Sequence, residues 1–543
     1  MSMRKSASVT AALVLGAAIL PLIVLGVDER QPSSTVKGAA ASQATEFKAI
    51  NKDLKDLPKI PKFADAAQGN EANPRKHYGR EGRLARVPKP APKRDALLDF
   101  QVRASTTRLA AALTAGAVNV DGQGFTGVNP PDTVGDVGPG HFIQAINMSN
   151  GTSYTVYNKA TGAVIAGPFL LSDLGGMGVN GLGDPIVLYD QLAKRWLLAE
   201  FSNNPNGVHV YISKTTDPVS GGWFHYQFKT NLFPDYPKFG VWSDGYYFTS
   251  NESTGPAVYA LERTKMLAGD ATASMQRFEA PELAGFGFQA LTPADADDEP
   301  PAGSPFYLLR HHDDEVHNAG SNNVTQDFLD LFELKIDWGT PANSTLIGAI
   351  GLPVSEFDSD LNGLSSFSCF PQPGTTVRLD PLREVIMHRV QYRKFAQYEA
   401  MVGSFVTDVD GNDHGGIRWF ELRKDAQSGW RVHQEGTFAP DSHNRWMSSI
   451  AMDGSGNIGM AYNVSSTTVF PSIRYTGRKA SDPMGAMRPE LTLIDGTVAN
   501  DSFRYGDYAS VNVDPSDNKT FWYTGEYNAS VQWSTRIGTF LFP

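Results

Sequence analysis

The stretch that most constrains the fold lies near the C-terminus, in FRYGDYASVNVDPSDNKTFWYTGEY over residues 503–527. From Tyr508 to Val513, small or polar residues alternate with apolar ones, which is the two-residue period of a half-buried strand. The following segment, residues 514–518, reads DPSDN. Asp, Asn and Ser bond their own backbone and Pro restricts φ, so this segment predicts a turn. Thr520 to Thr524 is aromatic and β-branched, as strands are. The stretch therefore predicts an antiparallel hairpin whose outer ends meet at one edge of a sheet.

Weaker copies of this unit recur upstream. Each has an aspartate near the turn between two strand-like segments, at positions 136, 190, 244, 380, 453 and 514. The long gap between 244 and 380 has room for a further copy, which residues 297–310 fit with an altered turn. A second pair of strand-like segments follows each unit. Four short strands recurring every 40–70 residues are typical of propeller blades.

The predicted fold class is therefore all-β, a single β-propeller of about seven four-stranded blades over residues 116–543. Gly 52 and Pro 34 suit this turn-rich fold, since together they exceed the usual share of about 12%. A pair of β-sandwiches is the alternative fold.

The N-terminus predicts export. Arg4 and Lys5 precede an apolar run from Val9 to Val27, which is the order of charged and apolar regions in a secretory signal. Residues 1–27 are predicted to be a signal peptide. The run also approaches the length of a membrane span, so an uncleaved anchor and, third, a core segment remain alternatives. Export would place the protein in the extracellular space or the periplasm, with membrane contact only through an uncleaved N-terminal segment.

Residues 28–115 differ in composition from the rest of the chain, being rich in Pro and Lys and poor in aromatics. Residues 1–108 carry a net charge of +9 and residues 109–543 of −20, which together give the −11 of the chain. This composition predicts a flexible leader. The opposite charges leave open a leader that docks on the acidic body or on an anionic envelope. The acidic body argues against nucleic acid as a partner.

A propeller would bring the starts of the first strands and the ends of the second strands to one face. Carboxylates, arginines and aromatics gather there from both sources: Asp132, Asp184, Asp235, Tyr236, Arg445, Trp446, Arg504, Asp507, Tyr508, Glu200, Glu252, Asn463 and Glu526. Aromatic faces stack on sugar rings, and carboxylates and arginines bond hydroxyl or acid groups. This face predicts a site for a glycan-like or other polar ligand. The alternative is that each residue caps backbone N–H groups at a turn.

If the site is hydrolytic, paired carboxylates would supply the acid and the base or nucleophile. The predicted catalytic residues are Asp507, Asp235 and Glu526. The predicted ligand-binding residues are Arg445, Arg504, Tyr508, Tyr236, Asp184, Trp446 and Glu252.

Metal and cofactor signals are weak. The segment 311–317 is rich in His, Asp and Glu, but a solvated loop is the favoured interpretation. Asp408 to Asp413 resembles a calcium loop, yet its Gly stands fourth rather than sixth and no Glu stands twelfth, so a hairpin turn is favoured. No metal site and no cofactor is predicted, with structural calcium left open. Cys369 is the only cysteine, which excludes an intramolecular disulfide.

Five segments of the sequence stand out: NPPDTVGDVGPGHFIQAIN, GDPIVLYDQLAKRWLLAEF, FPDYPKFGVW, RWMSSIAMDGSGNI and the stretch at 504–527. They resemble a family of large secreted bacterial β-propeller proteins of mostly uncharacterised function. This family is grouped loosely with the sialidase-like propellers, and the resemblance covers about 125–543. It implies a propeller. A true sialidase would carry S-x-D-x-G-x-T-W boxes, and Ser449 to Gly454 departs from that spacing. A sialidase would also need three arginines, a Tyr–Glu pair and an Asp; the resemblance could place these at Arg445, Arg474, Arg504, Tyr508, Glu526 and Asp235, but no motif fixes the match.

The expected function is a secreted propeller that engages a glycan-like or other polar ligand on its top face. Whether it is an enzyme is left open, and the expected reaction class would be glycosidase-type hydrolysis. The alternative is a non-catalytic cell-surface or extracellular binding or scaffold protein, and a calcium-stabilised adhesion module is a third hypothesis. A polysaccharide, a glycoconjugate or another protein is the expected partner.

Overall fold

A computed structural model describes residues 34–60, 94–106, 113–285, 288–317, 326–364 and 367–543 of the chain. Within these ranges the fold is all-β, built mainly of antiparallel sheets. The α-helices found there are short: α1 (Ala96–Thr106), α2 (Leu171–Gly175), α3 (Arg263–Ala268) and α4 (Asp314–His317). None of the helices in the described ranges has the length and apolar character needed to cross a membrane. The predicted signal or anchor over residues 1–27 lies outside the described residues.

The strands follow one another in chain order, and most fall into groups of four. The N-terminal strands are β1 (Ser34–Lys37), β2 (Ser42–Gln43), β3 (Glu46–Ile50) and β4 (Thr114–Gly124). Next come β5 (Val134–Val137), β6 (His141–Met148), β7 (Gly151–Asn158), β8 (Val164–Leu170), β9 (Gly183–Asp190), β10 (Arg195–Asn203), β11 (Asn206–Ser213), β12 (Trp223–Lys229), β13 (Asp235–Val241), β14 (Tyr246–Glu252), β15 (Gly255–Leu261) and β16 (Ser274–Glu279). The remaining strands are β17 (Thr292–Ala296), β18 (Phe306–His312), β19 (Gln326–Lys335), β20 (Thr345–Ser355), β21 (Val390–Lys394), β22 (Tyr398–Asp408), β23 (Gly415–Asp425), β24 (Ser428–Phe438), β25 (Asn444–Met452), β26 (Ile458–Ser465), β27 (Ser472–Arg478), β28 (Leu491–Ile494), β29 (Ser510–Val513), β30 (Phe521–Tyr527) and β31 (Ser534–Leu541).

Each group of four strands is an antiparallel meander. The groups β5–β8, β9–β12, β13–β16 and β25–β28 run in sequence order, while β29–β30–β31 takes its fourth strand, β4, from the N-terminal part of the chain. A nine-stranded sheet contains two further groups, β17–β20 and β21–β24, joined where β17 pairs with β21 in parallel. Strand β4 therefore ties the two ends of the sheet structure together.

The first strands of the groups, called the inner strands here, contact one another in a closed cycle from β5 through β9, β13, β17, β21 and β25 to β29 and back to β5. Side chains hold neighbouring inner strands together. Asp136 of β5 accepts the Tyr189 N–H of β9 at 2.7 Å, and the Asn512 amide of β29 donates to the Gly135 carbonyl of β5 at 2.6 Å. Sheets stacked radially in a ring are the architecture of a β-propeller, so the predicted fold class is confirmed at that level.

The hairpin that opened the sequence analysis forms as predicted. Strands β29 and β30 pair antiparallel, and the Asp514 N–H donates to the Thr520 carbonyl at 2.8 Å across the turn. One turn prediction is wrong. Asp380 is not at a hairpin turn between strands, because it lies in residues 356–389, which connect β20 to β21 and are called the 356–389 insertion below.

The flexible-leader prediction for residues 28–115 does not hold where the leader is described. Strand β3 pairs with the outer edge of β12, β2 with β16 and β1 with β20. Residues 34–60 thus run along the outer edges of three groups. Edge strands expose unpaired N–H and C=O groups, and the leader satisfies them. The rest of the leader between 61 and 93 lies outside the described residues.

Helix α1 also belongs to the folded body. Asp95 caps it by accepting the Leu97 N–H at 2.8 Å, and its other carboxylate oxygen lies 3.1 Å from Nη1 of Arg418. The Gln101 amide donates to the Met487 carbonyl at 2.8 Å. The described parts of the basic leader therefore dock on the folded body.

Candidate functional site

Part of the predicted site forms across the centre of the ring. Tyr236 stands at the start of β13, and Tyr508 stands just before β29. Their ring centroids are 4.9 Å apart. Since β13 and β29 are not neighbours in the cycle of inner strands, a contact between them crosses the central axis. We call the group around this contact the axial cluster: Asp184, Tyr236, Lys238, Asp380, Arg504, Asp507 and Tyr508.

Hydrogen bonds link the tyrosines of the axial cluster to other groups of the propeller. The Tyr508 hydroxyl lies 3.1 Å from Oδ2 of Asp184 and 3.0 Å from the Pro237 carbonyl oxygen. The Tyr236 hydroxyl donates to the backbone carbonyl of Asp507 at 2.9 Å. Both rings therefore have fixed orientations.

The cations of the cluster come from two directions. Arg504 places Nη2 2.6 Å from Oδ2 of Asp507 and Nη1 3.0 Å from Oδ2 of Asp380. Lys238 holds its ammonium 4.8 Å from the centroid of the Tyr236 ring and 5.6 Å from that of Tyr508, within cation–π range. The cluster thus combines carboxylates, two kinds of cation and stacked aromatic rings.

The backbone is strained at the same positions. Non-glycine residues adopt positive φ where the chain turns into the inner strands, at +48° in Asp184, +54° in Tyr236 and +64° in Asp507. Asp132 and Met447 share this conformation at equivalent places. A left-handed residue costs roughly 1–2 kcal/mol, and such strain clusters at ligand and active sites where surrounding contacts enforce it.

Two predicted carboxylates border the cluster. Asp235 is the first residue of β13, next to Tyr236, and is fully buried. Glu526, on β30, accepts the Gly506 N–H at 2.7 Å. Burial raises the pKa of Glu526 well above its usual range, against the opposing effects of the Gly506 N–H and the Arg504 charge. Burial therefore favours the protonated form of the Glu526 carboxyl.

The structure places three other predicted residues in separate contacts. Glu252 pairs with Nη2 of Arg277 at 2.6 Å. The Arg445 guanidinium lies 2.8 Å from both Asp441 and Glu490. The Trp446 ring packs against other aromatic side chains, with its centroid 5.3 Å from that of Phe370 and 5.5 Å from that of Tyr505. The structure thus places Glu252, Arg445 and Trp446 outside the axial cluster.

The 356–389 insertion packs beside the axial cluster and supplies one of its members, Asp380. Phe370 packs on Trp446, and the Asp380 N–H donates to the Phe503 carbonyl at 3.0 Å. Asp184, Asp235 and Asp507 are 0% exposed, while the Arg504 side chain retains 13% of its exposure. The predicted open face is therefore a buried polar cluster that solvent reaches at Arg504.

Charged residues continue along the inner strands beneath the cluster. Arg389 pairs with Asp295 and, at 2.8 Å, with Asp297. Burial raises the pKa of Asp136 to about 7, opposed by the Arg389 charge. Because Asp136 and Asp295 also accept backbone N–H groups of neighbouring inner strands, these residues hold the ring together.

No family model and no curated protein matches the sequence. Among solved structures, the chain is similar to an ulvan lyase of a new polysaccharide lyase family, at 11% identity and a TM-score of 0.34, over 80% of this chain and 96% of that one. It is similar to the WD40 domain of SCAP from fission yeast at 10% identity and a TM-score of 0.33, over 78% and 97% of the two chains. A thermostable family-43 glycoside hydrolase matches at 7% identity and a TM-score of 0.27, over 79% and 92%. Likenesses of this size concern the fold at most.

The segment 311–317 is not the solvated loop that the sequence favoured, because its histidines and acidic residues are buried. Nε2 of His311 contacts the Arg383 carbonyl at 3.0 Å, and Nδ1 of His317 contacts the Ala284 carbonyl at 2.6 Å. Burial lowers the pKa of His311 to about 4, so it stays neutral. The oxygen ligands that could hold a metal here are Asp313, Glu315 and Asp327.

The other metal-like segment is a hairpin turn between β22 and β23. The Asp408 carboxylate accepts N–H groups of its own turn, from Gly411 at 2.9 Å and from Asp413 at 2.8 Å. Cys369 is buried, and burial raises its pKa to about 12. Its thiol is therefore protonated and unsuited to nucleophilic attack.

Sequence reasoning missed two members of the axial cluster. Lys238 lies inside β13, where every residue is buried. A lone lysine in such a strand was the available signal, because a buried lysine requires compensating groups. Asp380 was taken for a turn residue, and nothing local indicated its pairing with Arg504, 124 positions away.

Proposed function

We propose that the protein is an exported seven-bladed β-propeller that engages a glycan-like or other polar ligand at its axial cluster. One observation carries the proposal, which is the meeting across the ring of five polar and aromatic residues from three separate four-stranded groups: Asp184, Tyr236, Lys238, Asp507 and Tyr508. Three of them, Asp184, Tyr236 and Asp507, have a left-handed backbone conformation. In this proposal each four-stranded group is one blade. The extracellular or periplasmic location, reached through residues 1–27, and the sialidase-like kinship are parts of the same proposal.

The chemistry of the cluster favours a ligand with hydroxyl and acidic groups. Arg504 is the member that solvent reaches, and a guanidinium binds carboxylate or sulfate groups in a fork geometry. The carboxylates behind it can accept hydrogen bonds from hydroxyl groups. An acidic polysaccharide or glycoconjugate has both kinds of group, so it is the partner that this cluster suits best.

Hydrolysis is the finer form of the proposal. Glu526, whose pKa burial raises, would act as the general acid, and Asp507 or Asp235 as base or nucleophile. The Arg504 guanidinium, 2.6 Å from Asp507, would stabilise the charged form of that carboxylate, and two carboxyl groups in different surroundings are what glycosidase pairs use.

A non-catalytic binding or scaffold role is the second candidate. Its supporting observation is that the predicted catalytic carboxylates Asp235, Asp507 and Glu526 are all buried. In this role the axial cluster would be a polar core that holds the blades together, and the partner would be another protein on the surface.

The test is a panel of neutral, uronate-bearing, sulfated and sialylated glycans, with binding measured by calorimetry and products by chromatography. We expect the wild type to bind at least one acidic class and Arg504→Lys to bind it at least about tenfold more weakly, since one point charge replaces a fork. Arg536→Lys is the matched control, because the Arg536 side chain is 16% exposed and pairs with Asp121 outside every predicted site. Its binding should be unchanged.

Asp507→Asn separates the two forms of the proposal. Loss of turnover with retained binding supports hydrolysis, and binding without turnover in both proteins supports a binding role. Absence of binding to every member of the panel would overturn the glycan proposal and leave the scaffold role.

A further inference from the structure

Three buried carboxylates meet at the end of β18 and the start of β19, away from the axial cluster. Asp313 follows β18, Glu315 lies in α4, and Asp327 is the second residue of β19. One oxygen of each lies within 4.8 Å of the others. Oxygens that share one Ca²⁺ at 2.3–2.6 Å can be at most about 4.6–5.2 Å apart. The three carboxylates therefore have the spacing of one coordination sphere.

Glu315 is the member that requires a ligand. Its residue is 8% exposed, and both carboxylate oxygens are buried without a hydrogen bond to a donor on another described residue, the neighbouring Asp314 carboxyl excepted. A buried carboxylate is normally paired, hydrogen-bonded or bound to a metal. Asp314 lies close to Glu315, but it is another carboxyl and raises the Glu315 pKa rather than neutralising its charge.

The other two carboxylates are oriented by backbone donors. Asp313 accepts the Ser359 N–H and hydroxyl, both at 2.8 Å. Asp327 accepts the Phe357 N–H at 2.7 Å. Hydrogen bonds that fix ligand side chains in this way are typical of the surroundings of a metal site.

Two basic side chains of β18, Arg310 and His312, contact a different carboxylate. Nε of Arg310 lies 3.0 Å from Oδ2 of Asp330, and Nδ1 of His312 lies 3.2 Å from Oδ1 of the same residue. Within the described residues, no salt bridge joins a basic side chain to Asp313, Glu315 or Asp327.

We propose that Asp313, Glu315 and Asp327 bind a hard divalent cation, Ca²⁺ or Mg²⁺. All three ligands are oxygens, which these ions prefer, and neither sulfur nor imidazole is among them. The site also holds the root of the 356–389 insertion, because Asp313 and Asp327 bond the backbone of Ser359 and Phe357. A bound ion would therefore fix the insertion in place beside the axial cluster. The inference is independent of the proposed function.

The test uses the full chain after treatment with a chelator, titrated with Ca²⁺ and with Mg²⁺ by calorimetry and followed by thermal unfolding. We expect one of the two ions to bind with a stoichiometry of one and to raise Tm by several degrees at saturation, since it binds the native state. Limited proteolysis of the insertion should slow when the ion is added.

Glu315→Gln keeps the shape of the side chain and removes its charge, and it should weaken ion binding at least about tenfold. Glu279→Gln is the matched control, because the Glu279 side chain is 66% exposed and lies on β16 rather than at the proposed ion site. The ion should raise its Tm as much as it raises that of the wild type. If Glu315→Gln fails to fold, the same measurement of ion binding is made on Asp327→Asn.

Two results would overturn the proposal. The first is a wild-type chain that binds neither ion at about 10 mM, well above the range of extracellular calcium modules. The second is ion binding that persists undiminished in Glu315→Gln or Asp327→Asn. The wild-type titration decides the first point whether or not the variants fold.

Discussion

At the scale of the residue, Arg504 joins two buried carboxylates that are distant in sequence. Asp380 and Asp507 side chains are both 0% exposed, and each has an oxygen within 3.0 Å of the guanidinium. A charge is stabilised in such surroundings only by a well-placed partner. The arginine therefore stabilises the attachment of the 356–389 insertion as well as the axial cluster.

Arg504→Met should be strongly destabilising. Removing one partner of a buried ion pair costs about 3–5 kcal/mol, and we expect a loss of that order in the free energy of unfolding measured with denaturant. Arg474→Met is the control, since Asp495 is 66% exposed and a surface pair contributes about 0–1 kcal/mol. Equal losses in the two variants would contradict the structural role of Arg504.

The buried carboxyl of Glu200 should make the free energy of unfolding depend on pH. It is 1% exposed and accepts the Thr152 hydroxyl at 2.7 Å, and burial raises its pKa from 4.5 to about 8. Between these values the folded state keeps a proton that the unfolded state has lost. The stabilisation is therefore complete below pH 4.5 and is lost as the pH rises towards 8.

Glu200→Gln should flatten this dependence. Each pKa unit corresponds to about 1.4 kcal/mol, so the fall in unfolding free energy between pH 5 and pH 8 should shrink by a few kcal/mol. Denaturant unfolding at both pH values measures it, with Glu279→Gln as the exposed control. An unchanged slope would mean that Glu200 is not buried and protonated as described. Asp136, whose pKa burial raises to about 7, keeps part of the slope in either protein.

At the scale of the element, the leader strands show how composition alone can mislead. Residues 34–60 are polar and short of aromatics, as disordered segments are, yet β1, β2 and β3 each pair with an outer sheet edge. Phe47 of β3 packs on the Tyr226 ring of β12 with centroids 5.1 Å apart. The order of these strands comes from the edges they meet and not from their own propensity.

A chain that starts at residue 61 should be less stable and more prone to associate than a chain that starts at residue 34. Loss of β1, β2 and β3 leaves three sheet edges unpaired, and unpaired edges recruit other chains. We expect a lower Tm and greater light scattering, measured by calorimetry and by size-exclusion chromatography with scattering detection. Identical behaviour of the two chains would show that the pairing is not stabilising.

At the scale of the whole molecule, the ring closes by joining the two ends of the sheet structure. Strand β4 pairs with β31, and Asn512 links inner strand β29 to inner strand β5. Rings closed this way exclude free sheet edges at the seam. The N-terminal and C-terminal parts of the sheet structure therefore stabilise each other.

Asn512→Ala should weaken the seam. The side chain is 2% exposed, and its loss leaves the Gly135 carbonyl without that donor, which costs about 1–3 kcal/mol when a buried group is left unsatisfied. Denaturant unfolding measures the loss, and hydrogen exchange should increase in β5 and β29. Asn343→Ala, at an exposed turn, is the control and should change little. If the variant were as stable as the control, the pairing of β4 with β31 would close the ring without help from Asn512.

The local parts of the fold could be read from the sequence because their causes are local. A two-residue period and an Asp-led turn indicate a hairpin wherever they occur, and β29–β30, β9–β10 and β13–β14 follow this pattern. The meeting of Asp184, Tyr236, Arg504, Asp507 and Tyr508 was also predictable, since equivalent strand ends share one face of a ring.

Tertiary structure decided which of these residues meet across the ring and which pair within their own four-stranded group. The axial cluster is buried, and Asp380 of the insertion pairs with Arg504, which is distant in sequence. Glu252 and Arg445 pair instead with residues of their own four-stranded groups. It also decided that the leader lies on the sheet edges and that Asp313, Glu315 and Asp327 converge. The physical reason is that strand pattern depends on neighbours within a few residues. Burial and charge pairing depend instead on which distant segments the closed ring brings into contact.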